Sequence, residues 1–210
     1  MKTIALFGGS GQTGQAFLPK ALAAGYRVKA LARSPEKITR QSDQLEVIKG
    51  DVLDPDAVHA TVKDSDIVVS LFGHVKGSPK WLQTDGTNNI IGAMKAEGVQ
   101  KIISLSGGGL PFEKDQPKFA DKMIRTIMKI AVPKVLHDAE RHAEVLKDSG
   151  LDWVIIRGPR LTNEPEKGEY RVGWVGVNAS TKIGRQDLAD FILKQVEDNQ
   201  YAEQMPFVSY

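Results

Sequence analysis

Short apolar runs alternate along this chain with longer stretches whose apolar residues recur at helical spacing. Ile4-Ala5-Leu6-Phe7 reads as a buried strand ending in glycines, and Gln12 to Ala24 as a helix closed by Gly25. Val28-Lys29-Ala30-Leu31-Ala32 predicts a second strand and Leu45-Glu46-Val47-Ile48 a third. Between them Ser34 caps a short helix with Pro35 at its first position, where the missing N–H costs nothing. Asp54-Pro55 repeats that signal ahead of another helix. Ile67-Val68-Val69-Ser70-Leu71 is nearly all apolar, as a central parallel strand covered on both faces should be. A helix over Asn88 to Ala96 stops at Gly98, and Ile102-Ile103-Ser104-Leu105 forms a fifth strand. One helical stretch from about Lys118 to Leu146 follows, then a sixth strand at Trp153-Val154-Ile155-Ile156. The tail predicts a strand near Tyr170 to Val175, a helix from about Gln186 to Val196, and a last short strand near Phe207. Strict alternation of this kind predicts an α/β fold, a doubly wound parallel sheet with helices on both faces.

Composition narrows the possible functions. A chain of 210 residues, 41% hydrophobic and 26% charged, can bury a sizeable core. With no repeat or linker, residues 1–210 are expected to form one domain. The 28 Lys+Arg against 26 Asp+Glu argue against a dedicated nucleic-acid binder. The absence of cysteine excludes disulfides, thiolate catalysis and Cys-ligated metals, and suits a reducing cytoplasm. The apolar run after Met1-Lys2 is cut short by Gly8-Gly9-Ser10-Gly11, too early for a signal peptide. Nowhere do about eighteen apolar residues run together, so the expectation is a cytoplasmic protein without a membrane partner.

The strongest local signal is Gly8-Gly9-Ser10-Gly11-Gln12-Thr13-Gly14, between the first strand and the first helix. Glycines there let the backbone turn tightly and approach a pyrophosphate, whose charge faces the N–H groups of the helix start. This makes the expected domain Rossmann-type. An acidic residue at the end of the second strand would hold the ribose hydroxyls of NAD. This chain instead carries Arg33, whose guanidinium matches a 2′-phosphate, so NADP(H) is expected over NAD(H). Asp51, after Gly50 at the end of the third strand, is either an acceptor for the adenine amino group or a turn-stabilising aspartate.

Gly8-x-x-Gly11-x-x-Gly14, Arg33 and Gly50-Asp51 resemble the atypical short-chain dehydrogenase/reductase group of the NmrA-like kind. So do Asp85-Gly86-Thr87-Asn88-Asn89-Ile90-Ile91 and the run from Gly98 to Ser106. The C-terminal half is similar to NAD(P)H-binding proteins related to biliverdin-IXβ/flavin reductase. Its matching stretches are Val145 to Trp153, Ile156-Arg157-Gly158-Pro159 and Ile183 to Ala189. The resemblance implies a cofactor site of Gly8, Ser10, Gly11, Gln12, Thr13, Gly14, Arg33, Asp51, Val52, Leu71, Phe72, Gly73, Ser104, Arg157, Gly158 and Pro159. It also sets the loop at 157–160 beside nicotinamide and substrate.

The acid/base pair Tyr-x-x-x-Lys of the wider superfamily is absent: Ala30, Trp174 and Met205 stand four residues after Tyr26, Tyr170 and Tyr201. Ser104 is expected to face a helix, which leaves Ser106 as the hydroxyl able to touch nicotinamide or substrate, unless it is a simple turn serine. Hydride transfer is the cofactor's own chemistry, and flavins and quinones accept hydride and can take their proton from water. A flavin, quinone or similar conjugated acceptor is therefore the expected substrate, with FMN or FAD as substrate rather than prosthetic group. The rival is a redox sensor that binds NADP(H) and turns over nothing. A third reading uses His137 or Arg141 as proton donor; these share a helix face with Glu140 and Glu144, whose plainer reading is a solvated ion-paired face.

The loops at about 107–134 and 157–182 are expected on the substrate side, with Gly107, Gly108, Phe112 and Arg160 against the acceptor. Lys118, Lys122, Arg125 and Lys129 form a basic stripe, with Phe119, Met123, Ile127 and Ile130 on another side. This suits a lid over a flat anionic ligand or, more plainly, the wet face of an amphipathic helix. Membrane-surface binding is the weaker reading, since nothing else in the sequence supports it. His137 and His142 diverge on a helix, and His59 and His74 lack evident partners, so no metal is expected. The protein should be a monomer or homodimer.

Overall fold

The computed structural model describes every residue from Met1 to Tyr210. Its elements run β1 (Thr3–Phe7), α1 (Gln12–Ala23), β2 (Arg27–Ala32), β3 (Leu45–Lys49), α2 (Pro55–Val62), β4 (Ile67–Ser70), α3 (Leu82–Glu97) and β5 (Lys101–Gly107). Then come α4 (Phe119–Ala131), α5 (Pro133–Lys147), β6 (Asp152–Gly158), β7 (Arg160–Thr162), β8 (Arg171–Gly173), β9 (Lys182–Gly184), α6 (Arg185–Glu197) and β10 (Phe207–Ser209). Eight strands form one sheet in the order β3-β2-β1-β4-β5-β6-β10-β8, parallel throughout except for β8, which runs antiparallel to β10. This is the doubly wound α/β arrangement that the alternation of runs predicts. The strand order reverses between β1 and β4, which opens a crevice at their carboxyl ends.

Alternation of side chains sorts each strand between two cores. Ile4 and Leu6 of β1, Ile103 of β5 and Val154 and Ile156 of β6 pack against α1 and α6. Ala5 and Phe7, Ile102, Trp153 and Ile155 pack on the other face, with side chains of α2, α3 and α5. Covered on both faces, these strands have no polar side to show, which is why their sequences read as continuous apolar runs.

The elements depart from expectation where a distant residue intervenes. The helix after Asp54 is capped as predicted, its carboxylate accepting from the N–H groups of Asp56 and Ala57. Ser34 makes no such bond, and Pro35–Lys37 is a single 3-10 turn. Helix α3 starts at Leu82, six residues before the expected Asn88. Trp81 at its cap offers no side-chain acceptor, but Asp138 of α5 accepts from the N–H of Gln83 at 2.7 Å and of Thr84 at 3.0 Å. That aspartate closes the helix start across the fold. The stretch expected as one helix from Lys118 to Leu146 is two, α4 and α5, parted at Val132. Pro133 begins the second because it has no N–H to continue the first. Strands β7 and β9 pair as a separate parallel ribbon that no sequence pattern announced. No helix is long and apolar enough to cross a membrane.

Candidate active site at the carboxyl edge of the sheet

The loop between β1 and α1 is built so closely that only glycine fits its key positions. Gly8 has φ +85°, and a Cβ there would lie 2.5 Å from the Phe72 nitrogen. At Gly14 a Cβ would lie 2.2 Å from the Gly8 carbonyl oxygen and 2.6 Å from Gly9 Cα. The first turn of α1 thus nests directly on the loop, with Gly11 N–H donating to the Gly8 carbonyl at 3.0 Å. Gly11 and Gln12 are exposed, Gly8 and Ser10 half-buried, and Thr13 and Gly14 buried. No side chain caps α1 and no acidic residue stands in its first turn. Its free N–H groups and positive dipole end therefore face the crevice unopposed, as binding of a pyrophosphate requires.

The walls of the crevice come from neighbouring strand ends. Leu71, Phe72 and Gly73 continue from β4 beside Gly8, and the Phe72 ring and Val52 pack against Gly86 of α3. Asn89 donates to the Val52 carbonyl at 3.0 Å, tying that wall to α3. Arg33 and Asp51 stand side by side at the ends of paired strands β2 and β3, Nε to Oδ2 3.9 Å apart and both open to solvent. Asp51 also accepts from the Leu53 N–H at 2.9 Å, so its turn-stabilising role is present. One cradle and two walls therefore surround a slot whose residues fit a dinucleotide.

Beyond it, at the ends of β5 and β6, lies a cavity of about 800 Å³. Gly107, Gly108, Phe112 and Arg160, the four residues expected against the acceptor, all line it, as do Gly158 and Pro159. Pro111, Pro117, Met128, Val175 and Phe207 supply apolar walls, and Lys122 and Arg125 of α4 supply cations. Two carboxylates reach it, and both are already engaged. Asp115 is bound by Arg157, and Asp121 accepts from the N–H of Lys118 at the start of α4. No histidine or tyrosine lines the cavity.

Three expectations require correction. Arg157 is not a cofactor ligand: it is wholly buried, and its guanidinium is spent on the interior. It donates to the carbonyls of Met205 and Leu110 at 2.8 and 2.7 Å, and its fork grips both oxygens of Asp115 at 2.7 and 2.8 Å. Asp115 in turn accepts from the N–H groups of Phe112 and Val175, so this buried pair pins the cavity's loops together. Ser104 faces helix α5, as expected, its hydroxyl 2.9 Å from His142 Nε2, which turns it away from the cofactor site that the resemblance implied. Burial holds that histidine's pKa down to about 4, so it is neutral near pH 7. His137 and Arg141 do not reach the cavity. Both are exposed on α5, where Arg141 stacks over the Trp81 ring at 4.5 Å. The inward face of α5 carries Asp138 and His142 instead.

Ser106 shares the β5 face of Ile102 and Ser104, and its hydroxyl is buried without a hydrogen-bond partner. A polar group left bare next to the cavity-lining Gly107 is costly unless a ligand completes it. His59 and His74 do have partners, Glu97 at 2.9 Å and Asp138 at 2.7 Å. No group of three or more His, Asp or Glu is placed to hold a metal. Sequence reasoning missed Asp115, Asp138 and their networks. A signal was available for the second: Asp138 and His142 are four apart, and on a helix that puts them on the same side as Leu146.

A glycine cradle at the topological switch point of a doubly wound sheet defines a dinucleotide-binding protein. The chain belongs to the NAD(P)H-binding family, whose model matches residues 8–199. An uncharacterised chloroplastic protein of Arabidopsis thaliana is 26% identical over 180 residues, covering 80% of this chain. The chain spans 62% of that protein's length, and 14% of the length of the mycobacterial relatives it matches. Among solved structures, a short-chain dehydrogenase/reductase of Veillonella parvula in complex with NADP superposes with a TM-score of 0.80. It is 18% identical and is aligned over 100% of this chain and 94% of its own. ChuY of Escherichia coli O157:H7, described as an anaerobilin reductase, gives 0.80 at 20% identity over 100% and 97%. At such identities these structures establish the shared fold.

Proposed function

We propose that this protein is an NADPH-dependent reductase of a flat conjugated acceptor such as a flavin or a quinone. The observation that carries this reading is the cavity itself: roomy, mostly apolar, cationic at one side, and without a histidine, a tyrosine or an unengaged carboxylate. A ketone, whose developing alkoxide needs a proton donor, would find no tyrosine or histidine there to supply it. When bound, NADPH supplies the hydride. The chain's own part is to bind and orient. Gly8, Gly11, Gln12, Thr13 and Gly14 receive the pyrophosphate, and Arg33 the 2′-phosphate. Val52, Phe72 and Gly73 wall the slot. The Ser106 hydroxyl, lacking a partner, is the group free to hydrogen-bond nicotinamide or acceptor. Phe112 and Phe207 offer ring faces to a planar acceptor, and Lys122, Arg125 and Arg160 favour anionic substituents.

The test is oxidation of NADPH, followed by the absorbance of the reduced nicotinamide, with FMN, FAD and a small quinone as acceptors and NADH alongside. Turnover that favours NADPH supports the reading. Tight binding of NADPH by calorimetry with no turnover on any acceptor would sink it, and would favour a protein that senses the NADPH/NADP⁺ balance by binding alone.

A further inference from the structure

In the sequence the basic stripe of Lys118 to Lys129 reads as a lid or as the wet face of an amphipathic helix, with membrane-surface binding the weaker reading. In the fold its apolar side is the wet one. Nine large apolar side chains are exposed on the whole protein, and seven of them lie between Phe119 and Val135. Phe119 is 83% exposed, Ile130 78%, Ile127 56% and Met123 51%. At 3.6 residues per turn these four form one stripe pointing away from the body of the protein. The opposite side of α4 carries its half-buried residues Asp121, Arg125 and Met128. Along one flank of the stripe stand Lys118, Lys122 and Lys129, all exposed. No residue of the helix is buried.

We propose that α4 docks this protein on an anionic lipid bilayer, lying in the interface with Phe119, Met123, Ile127 and Ile130 among the acyl chains and the lysine row against the headgroups. A concentrated apolar stripe explains affinity for a bilayer, and the flanking cations select its charge. Charge also disfavours an antiparallel pairing with a second copy. An antiparallel pairing of two α4 helices about a twofold axis sets the same flank against itself and opposes the two lysine rows. A bilayer of anionic lipids meets both features at once. The docking has a use if the proposed reductase reading holds. Ile124 is both exposed and part of the cavity lining, so the cavity opens beside the docked face and an acceptor dissolved in the bilayer could enter it directly. Docking itself does not depend on that reading.

The experiment is flotation of the full chain with vesicles of phosphatidylcholine alone and of an equimolar mixture with phosphatidylglycerol, with light scattering of the free protein. Binding is expected to the mixed vesicles only and to weaken with added salt. Ile127→Ser with Ile130→Ser should lower partitioning by about tenfold or more. Lys118→Gln with Lys129→Gln should lower it roughly fivefold per lysine. None of these four residues lines the cavity, so turnover of a water-soluble acceptor should be unchanged. Absence of flotation, equal flotation on phosphatidylcholine alone, or flotation indifferent to both variants would overturn the proposal. So would a wild-type dimer that leaves the vesicles unbound and becomes monomeric in the isoleucine variant.

Discussion

Replacing Arg157 with methionine removes the one fully buried cation of the fold while keeping most of its volume. Four hydrogen bonds of 2.7–2.8 Å disappear. The carbonyls of Leu110 and Met205 lose a charged donor, and the Asp115 carboxylate, 9% exposed, loses its countercharge. Asp115 keeps only the N–H groups of Phe112 and Val175, at 2.8 and 3.0 Å. Breaking a buried pair from one side costs about 3–5 kcal/mol, because the surviving charge stays desolvated. With a urea slope of about 2–3 kcal/mol per M, the unfolding midpoint should fall by about 1–2.5 M. Asp115→Asn relieves the stranded charge. The double variant should therefore be more stable than Arg157→Met alone, with a coupling of about 2 kcal/mol or more in the cycle. Arg157→Lys should fall between, since an ammonium keeps the charge but not the fork. The acceptor KM should rise as well, because Leu110, Phe112, Asp115 and Val175 all line the cavity. A stability loss under about 1 kcal/mol, together with additive effects of the two substitutions, would refute a pinning role for this pair.

Three further outcomes are expected. Gly14→Ala places a methyl group 2.2 Å from the Gly8 carbonyl oxygen, so the loop must shift. NADPH binding, followed by the fluorescence of the bound reduced nicotinamide, should be lost while the circular dichroism stays near wild type. Arg33→Ala removes the charge-assisted contact proposed for the 2′-phosphate, worth about 1.5–3 kcal/mol, so calorimetry should show NADPH affinity falling roughly tenfold to a hundredfold with NADH nearly unaffected. His142 titrates near 4 in the fold against 6.5 when unfolded, owing to burial. The unfolded chain therefore binds the extra proton in that window, and stability falls as pH drops from about 6.5 toward 4, by roughly 3 kcal/mol in all. His142→Gln should flatten that slope in urea unfolding measured across the window; parallel profiles for wild type and variant would exclude the effect.

The order of strands and helices was legible because it follows from local pattern. Strands buried on both faces must be apolar throughout, as Ile67 to Leu71 are, and the loop that receives a pyrophosphate must be glycine, as Gly8 and Gly14 are. Arg33 was equally plain, since it is a single residue at a set distance from that loop, and the absence of Tyr-x-x-x-Lys shows at each tyrosine in turn. What tertiary structure alone decided is where long-range partners lie. Helix α3 begins at Leu82 only because Asp138, more than fifty residues on, supplies the cap that Trp81 lacks. Arg157 stands near the end of β6, in the stretch that the resemblance set beside nicotinamide, yet Asp115 draws its guanidinium inward, since a buried cation must take the acceptor within reach. His137 and Asp138 are neighbours in sequence, and rotation of α5 against the sheet settles which of them faces inward. The amphipathic pattern of α4 is likewise complete in the sequence. Periodicity fixes the relative angle of apolar and basic residues on a helix, while the packing of the rest of the chain fixes which of those faces meets water.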